Sequence, residues 1–213
     1  SHVNSKPAAV GENNDWIKPN KAIMHAYLHD KYQVKEISEN KLKNLFSRPI
    51  KTAEDFVQQL TPHAEQAAKE LGVSPKVLLA QAALETGWGR SVIKHGDGSS
   101  SFNLFNIKAG KSWHGAQTRV STLEYENGVA RKEMSGFRAY NSYRESFNDY
   151  VQFIKNNPRY HNALQHVGNG ERYLQELQRA GYATDPSYAR KVMGIYHSNA
   201  MAQAETHTSV ALR

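Results

Sequence analysis

Two glutamates in this chain stand where a carboxyl group can do acid–base work. Glu85 closes the run Ser74-Pro-Lys-Val-Leu-Leu-Ala-Gln-Ala-Ala-Leu-Glu-Thr-Gly87, which predicts a helix. Ser74 suits the N-cap, Pro75 the first helical position, and Gly87 a left-handed C-terminal stop. On that helix Leu78, Gln81, Ala82 and Glu85 share one face, so the carboxylate extends an apolar stripe. Partial desolvation by Leu78, Ala82 and Trp88, together with the negative end of the helix dipole, favours the protonated form. A carboxyl that keeps its proton near neutral pH is a general acid. The competing reading is a boundary glutamate that turns to water or pairs with Arg90.

The second glutamate lies on a different kind of element. Thr118, Val120, Thr122 and Glu124 alternate with Arg119, Ser121, Leu123 and Tyr125, which is the period of a strand. Asn127-Gly128 follows as a hairpin turn, and residues 129–140 return as the second strand. Glu124 therefore falls near the tip of a β-hairpin. As a lone strand residue it would instead face solvent and pair with Arg131 or Lys132.

Helices must carry the rest. Thr52 and Asp55 resemble a capping box ahead of Phe56, Val57 and Leu60. Thr61-Pro62 is expected to kink or restart that helix, which resumes through Ala64, Ala67, Ala68 and Leu71 to stop at Gly72. Ser142 and Glu145 predict a second capping box, with Phe147, Tyr150, Val151 and Ile154 as a buried stripe ended by Asn157-Pro158. Asp149 lies off that stripe beside Phe153, where it orders a neighbouring helix or the catalytic floor, or, by periodicity alone, faces solvent as a surface acid. Short helices are expected over residues 160–167 and 171–179, and a final one begun by Pro186 with Thr184 or Asp185 as its cap. Tyr182 precedes that cap in an irregular segment, free to face a cleft, whereas Tyr188 reads as core. In the loop Phe102-Asn-Leu-Phe-Asn-Ile-Lys108 the aromatic and amide side chains suit either a sugar-binding wall or a plug that holds the loop to the core.

Composition bounds the class. The chain has 213 residues, 39% hydrophobic and 22% charged, enough for one substantial folded domain with an extension. No apolar run approaches the roughly 20 residues that span a bilayer. The N-terminus lacks the apolar core of a secretory signal, so export uses another route or a segment outside this sequence. Ser1-His2 reads as a cloning remnant. There is no cysteine, which excludes disulfides, thiolate metal sites and a cysteine nucleophile. A net charge of +7 and a pI near 9.5 favour polyanionic surroundings. No clustered Arg/Lys helix accompanies that charge, so nucleic acid is not an expected partner. Gly110-Lys111-Ser112 resembles the end of a phosphate loop, but Phe105 stands where that motif needs its first glycine. His25 and His29, one turn apart, lack an acidic third ligand nearby and read as a solvated helix face, so neither metal nor cofactor is expected. Residues 1–50 read as a lead-in with two short helices between Lys21 and Phe46, residues 51–203 as the compact domain, and residues 204–213 as a polar tail.

Five motifs in order carry a resemblance: residues 80–89 (AQAALETGWG), 102–108 (FNLFNIK), 122–128 (TLEYENG), 137–140 (FRAY) and 181–189 (GYATDPSYA). Together they closely resemble the catalytic domain of the flagellum-specific peptidoglycan hydrolases of glycoside hydrolase family 73, over roughly Lys51 to Ala202. The resemblance implies an α+β, mainly α fold: a lysozyme-like helical lobe and a small β-hairpin lobe enclosing a glycan cleft. It implies hydrolysis of the β-1,4 bond after N-acetylglucosamine in peptidoglycan, in the periplasm, with flagellar rod proteins as further partners. By motif position Glu85 matches the general acid and Glu124 the second carboxylate, while Asp149 and Tyr182 match positions tied to activity or cleft structure. Phe102, Asn103, Phe105 and Tyr125 are the expected glycan contacts, and Trp88 braces the acid. One departure is that flagellar members commonly carry a rod-assembly domain before the hydrolase, and residues 1–50 are too short and differently patterned to be one. Because Glu124 rides on a hairpin, the β lobe is expected to move and the two acids to stand far apart without substrate. The alternative is a non-catalytic cell-wall-binding or rod-scaffold module.

Overall fold

The computed structural model describes residues 49–202 and Ala204, apart from the side chain of Tyr125. The helices expected between Lys21 and Phe46, His25 and His29, and the tail after residue 204 lie outside the described residues. The described residues include the helices α1 (Ala53–Leu71), α2 (Pro75–Thr86), α3 (Tyr143–Asn156), α4 (His161–Leu164), α5 (Gly170–Arg179) and α6 (Tyr188–Tyr196) and a hairpin of β1 (Gln117–Glu126) and β2 (Val129–Arg138), placed between α2 and α3. A single 3₁₀ turn, Pro158–Tyr160, joins α3 to α4. The expected mainly helical α+β class with a small hairpin is the one observed.

Local chemistry sets most boundaries. Thr52 and Asp55 form a complete capping box on α1, and Gly72 ends it at φ +87°. Ser74 accepts a hydrogen bond from the Lys76 amide at the start of α2, and Gly87 ends that helix at φ +54°. Pro62 neither breaks nor restarts α1, which runs unbroken through it. A mid-helix proline costs about 3 kcal/mol. Complete burial of Phe56, Val57, Leu60 and Ala64 on the flanking turns outweighs that cost. At α3 only half of the predicted box forms. Ser142 Oγ accepts from the Glu145 amide, but the Glu145 carboxylate reaches one residue further back, to the Asn141 amide at 2.7 Å. The last helix also starts later than expected. Asp185 accepts from the Ser187 amide and pairs with Lys191, so residues 185–187 form a turn before α6 rather than its first turn.

Around α2, whose residues 77–83 are buried, α1 packs on one side and α6 on another, while α1 also meets α3, and α5 meets α6. Phe56, Leu60, Leu78, Leu79, Leu104, Phe147, Tyr150, Tyr173 and Tyr188 fill the centre. The hairpin leaves this body as an antiparallel pair in which Glu124 stands opposite Arg131 and Glu126 opposite Val129. Asn127 at φ +52° and Gly128 at φ +78° make the two-residue turn that the twist of paired strands favours. Its base is anchored by Phe137, which is buried, and by the isolated bridge from Phe137 to Lys108. Its outer half is open to solvent, with Leu123, Val129 and Met134 all more than half exposed.

Candidate active site

Glu85 sits on the last turn of α2, half-buried. Burial pushes its carboxyl above the usual glutamate range, and a hydrogen bond from Asn106 opposes that shift without cancelling it. Among the described residues no cation pairs with it, and Arg90 is exposed. The pairing with Arg90 is therefore not formed, and the acid keeps the environment expected of a proton donor. Trp88, at φ +61°, packs edge-on against Phe56. Its ring thus anchors the turn that follows Glu85 to α1.

One helical turn below Glu85, Gln81 is fully buried and joins a polar network under the site. Its Nε2 donates to the Tyr188 hydroxyl at 2.8 Å, and its Oε1 accepts from the Tyr150 hydroxyl at 2.7 Å. The Tyr150 and Tyr173 hydroxyls lie 2.6 Å apart. The network joins α2, α3, α5 and α6, and each buried polar group in it has a partner. Sequence reasoning placed Gln81 on the face of Glu85 but gave it no task. The signal was there: an amide inside an apolar stripe needs partners.

Tyr182 borders this floor. Its ring contacts Tyr150, Phe153, Tyr160 and Tyr188, with part of the residue still exposed, while its hydroxyl is buried. Burial first, then the nearby Tyr188 and Glu85, push that hydroxyl well above the usual tyrosine value. It is neutral in use.

The loop over residues 102–108 corrects the sequence expectation. Phe102, Asn103 and Phe105 do not present a wall to a ligand. They are 7%, 0% and 3% exposed. Phe102 packs on Tyr143, and Phe105 on Phe147 and Tyr150. The Asn103 amide donates to the carbonyls of Ile107 (3.0 Å) and Arg138 (2.8 Å), and its oxygen accepts from the amides of Phe105 and Ile107. These side chains are consumed in tying the loop to the core and to the end of β2. What the loop offers the site comes from Asn106 and Lys108. Asn106 Nδ2 meets Glu85 Oε2 at 3.0 Å, and Lys108 Nζ lies 3.6 Å from Glu124 Oε1.

Glu124 is 43% exposed in its side chain and also accepts from the Thr122 hydroxyl at 3.3 Å. Arg131, its cross-strand neighbour, reaches Glu126 instead. The expected pairing with Arg131 or Lys132 is thus replaced by a solvent-exposed pair with Lys108, worth at most about 1 kcal/mol. Tyr125 pairs with Ala130 in the backbone register, and its side chain lies outside the described residues.

Asp149 is not a surface acid, its side chain being 16% exposed. Arg138 Nη1 donates to both its oxygens (3.2 and 3.0 Å), and the Tyr140 hydroxyl donates to Oδ2 at 2.5 Å. Arg138 in turn lies over the Trp113 and Phe153 rings and donates from Nε to the Lys108 carbonyl. Asp149 is the clamp by which α3 holds the base of the hairpin and the end of the loop.

A helix-end carboxyl whose pKa is raised by burial, on a mainly helical body that also carries a hairpin with a second carboxylate, is the arrangement expected of a lysozyme-like glycoside hydrolase domain. The chain belongs to the glucosaminidase family, whose model, described as mannosyl-glycoprotein endo-beta-N-acetylglucosaminidase, matches residues 61–201. It is 52% identical over 160 residues to the peptidoglycan hydrolase FlgJ of Pseudomonas aeruginosa, covering 75% of this chain and 39% of that protein. The FlgJ of Vibrio parahaemolyticus is 50% identical over 161 residues, covering 75% and 52%. The chain thus spans about half or less of the length of these relatives. Among solved structures, a peptidoglycan hydrolase mutant from Sphingomonas sp. A1 matches with a TM-score of 0.65 at 46% identity, over 72% of this chain and 99% of that one. The glycoside hydrolase domain of Salmonella typhimurium FlgJ matches at 0.60 and 38% identity, over 76% and 98%. The family 73 resemblance read from the five motifs is borne out.

Proposed function

We propose that this chain hydrolyses the β-1,4 bond that follows N-acetylglucosamine in peptidoglycan, with Glu85 donating the proton to the departing glycosidic oxygen. The observation that carries the reading is the state of Glu85: raised by burial, free of any ion pair among the described residues, and seated over a floor of neutral tyrosines. Such an acid holds its proton until a leaving group needs it. Glu124 supplies the second carboxylate, activating water or stabilising the oxocarbenium-like centre. Its hold on Lys108 is weak and exposed, and the hairpin that bears it is anchored only at its base. This suits a group that closes on the glycan. Peptidoglycan as substrate, the periplasm as the place of action and passage of the flagellar rod as the purpose rest on the likeness to FlgJ proteins. Likeness to the exo-glucosaminidase LytG of Bacillus subtilis, 30% identical over 168 residues, agrees with glucosaminidase chemistry.

Mass spectrometry of sacculus digests by the wild type and by Glu85→Gln tests the proposal. The wild type should release fragments ending in N-acetylglucosamine. The variant should fold normally and lose about 10²- to 10⁴-fold in rate. Retained cleavage by Glu85→Gln would overturn the assignment. Sedimentation of the wild type with sacculi without new reducing ends would mark a wall-binding module instead.

A further inference from the structure

Asn106 makes the one side-chain hydrogen bond that Glu85 receives among the described residues. It adopts φ +51°, a left-handed conformation that asparagine tolerates better than most side chains. From there its Nδ2 donates both to the main-chain carbonyl of Glu85 at 2.9 Å and to the carboxyl Oε2 at 3.0 Å. Both contacts are acceptors on one residue, so the amide has a single workable orientation. A flip would set Oδ1 against two oxygens. Oδ1 itself is buried without a partner. The amide is therefore committed to Glu85 at the cost of its own second group.

The chemical consequence concerns which oxygen bears the proton. With Oε2 engaged as an acceptor, the proton of the neutral acid belongs on Oε1. We propose that Asn106 is a positioning residue for the acid: it pins the Glu85 carboxyl through Oε2, so that Oε1 carries the proton and is aimed for transfer. This rests on the reading of Glu85 as the proton donor. The other titratable groups that feel the Glu85 charge are Tyr182, from the segment before α6, and Tyr188 on α6. Both hydroxyls are pushed well above their usual value and stay neutral through the working range. No Lys, Arg or His forms an ion pair with Glu85 among the described residues.

The test uses Asn106→Gly and Asn106→Asp. Glycine accepts φ +51° without strain, and aspartate is among the residues that tolerate it. Two readouts are taken on each: titration of the Glu85 carboxyl by NMR of ¹³C-glutamate-labelled protein, assigned with Glu85→Gln, and the pH profile of reducing-end release at saturating peptidoglycan. A donor to the carboxylate favours its charged form, so removing it should raise the Glu85 midpoint by about one unit. A like charge in its place should raise it further. The alkaline limb of the activity profile should move by the same amount in the same order. The plateau rate of Asn106→Gly should fall about three- to tenfold, because the carboxyl is no longer held in one orientation. An unmoved Glu85 midpoint in both variants, with active wild type, would overturn the proposal, even if stability or activity dropped. An inactive wild type or an active Glu85→Gln would instead sink the reading of Glu85 beneath it.

Discussion

Replacing Asp149 by alanine separates a structural clamp from a chemical participant. The carboxylate accepts two contacts from Arg138 Nη1 and one from the Tyr140 hydroxyl. The Arg138 and Asp149 side chains are only 12% and 16% exposed. Breaking a fully buried pair from one side costs about 3–5 kcal/mol, because the surviving charge is left unpaired. Here water reaches the pair, and Arg138 keeps the Lys108 carbonyl and the Trp113 and Phe153 rings as partners. A loss of about 2–3 kcal/mol is therefore expected. For a domain of this size that corresponds to a fall in Tm of about 4–12 °C. Asp149→Asn retains an acceptor oxygen and should lose about half as much. Thermal unfolding followed by circular dichroism at 222 nm gives the stability, and reducing-end release well below the transition gives the activity. At that temperature Asp149→Ala should keep activity within about tenfold of the wild type, since it moves the hairpin base and not the acid. A wild-type Tm combined with a loss as deep as that of Glu85→Gln would refute the clamp and place Asp149 in the chemistry.

Gln81→Leu should cost about 2–4 kcal/mol by urea denaturation, since the Tyr188 and Tyr150 hydroxyls each lose a buried partner while the volume is nearly kept. A loss below about 1 kcal/mol would mean that water replaces the amide, and the network would not be the floor of the site. His63, buried between α1 and α3, has its pKa lowered to about 4, by desolvation first and then by Arg144. Its folded value lies below the unfolded one, so stability is complete above pH 6.5 and is lost as the unfolded chain takes up the proton, down to about pH 4. That loss is on the order of 3 kcal/mol. The slope of unfolding free energy between those pH values should flatten in His63→Phe, and an unchanged slope would show that other groups carry the acid sensitivity.

Several elements were legible because their determinants are local. The limits of α2 follow from Ser74, Pro75 and Gly87, each acting within one turn of chain. The hairpin follows from a period of two and from Asn127-Gly128, whose positive φ angles are what the turn requires. The same local rules placed Glu85 at a helix end on an apolar face and Glu124 on a strand. At Pro62 the restart those rules allowed did not occur, because a propensity rule met a fully buried turn and the helix continued.

The parts of the site that depend on distant partners were decided only when the chain folded. Asn106 reaches Glu85 across 21 residues, and Gln81 reaches Tyr188 across 107. No spacing rule links them, because the contact exists only once the loop and α6 have packed against α2. Phe102, Asn103 and Phe105 have the residue types of a sugar wall, yet burial turned them into the core. Residue type specifies what a side chain can contact, and tertiary packing decides which surface it meets. Asp149 shows the same limit: periodicity put it off the buried stripe of α3, but Arg138 and Tyr140 arrive from the hairpin base to enclose it. From sequence the candidate acid could be named. The apolar stripe that desolvates it was already readable from its own helix, but the Asn106 amide beside its carboxyl belongs to the tertiary structure alone, since local chain geometry does not bring that residue near Glu85.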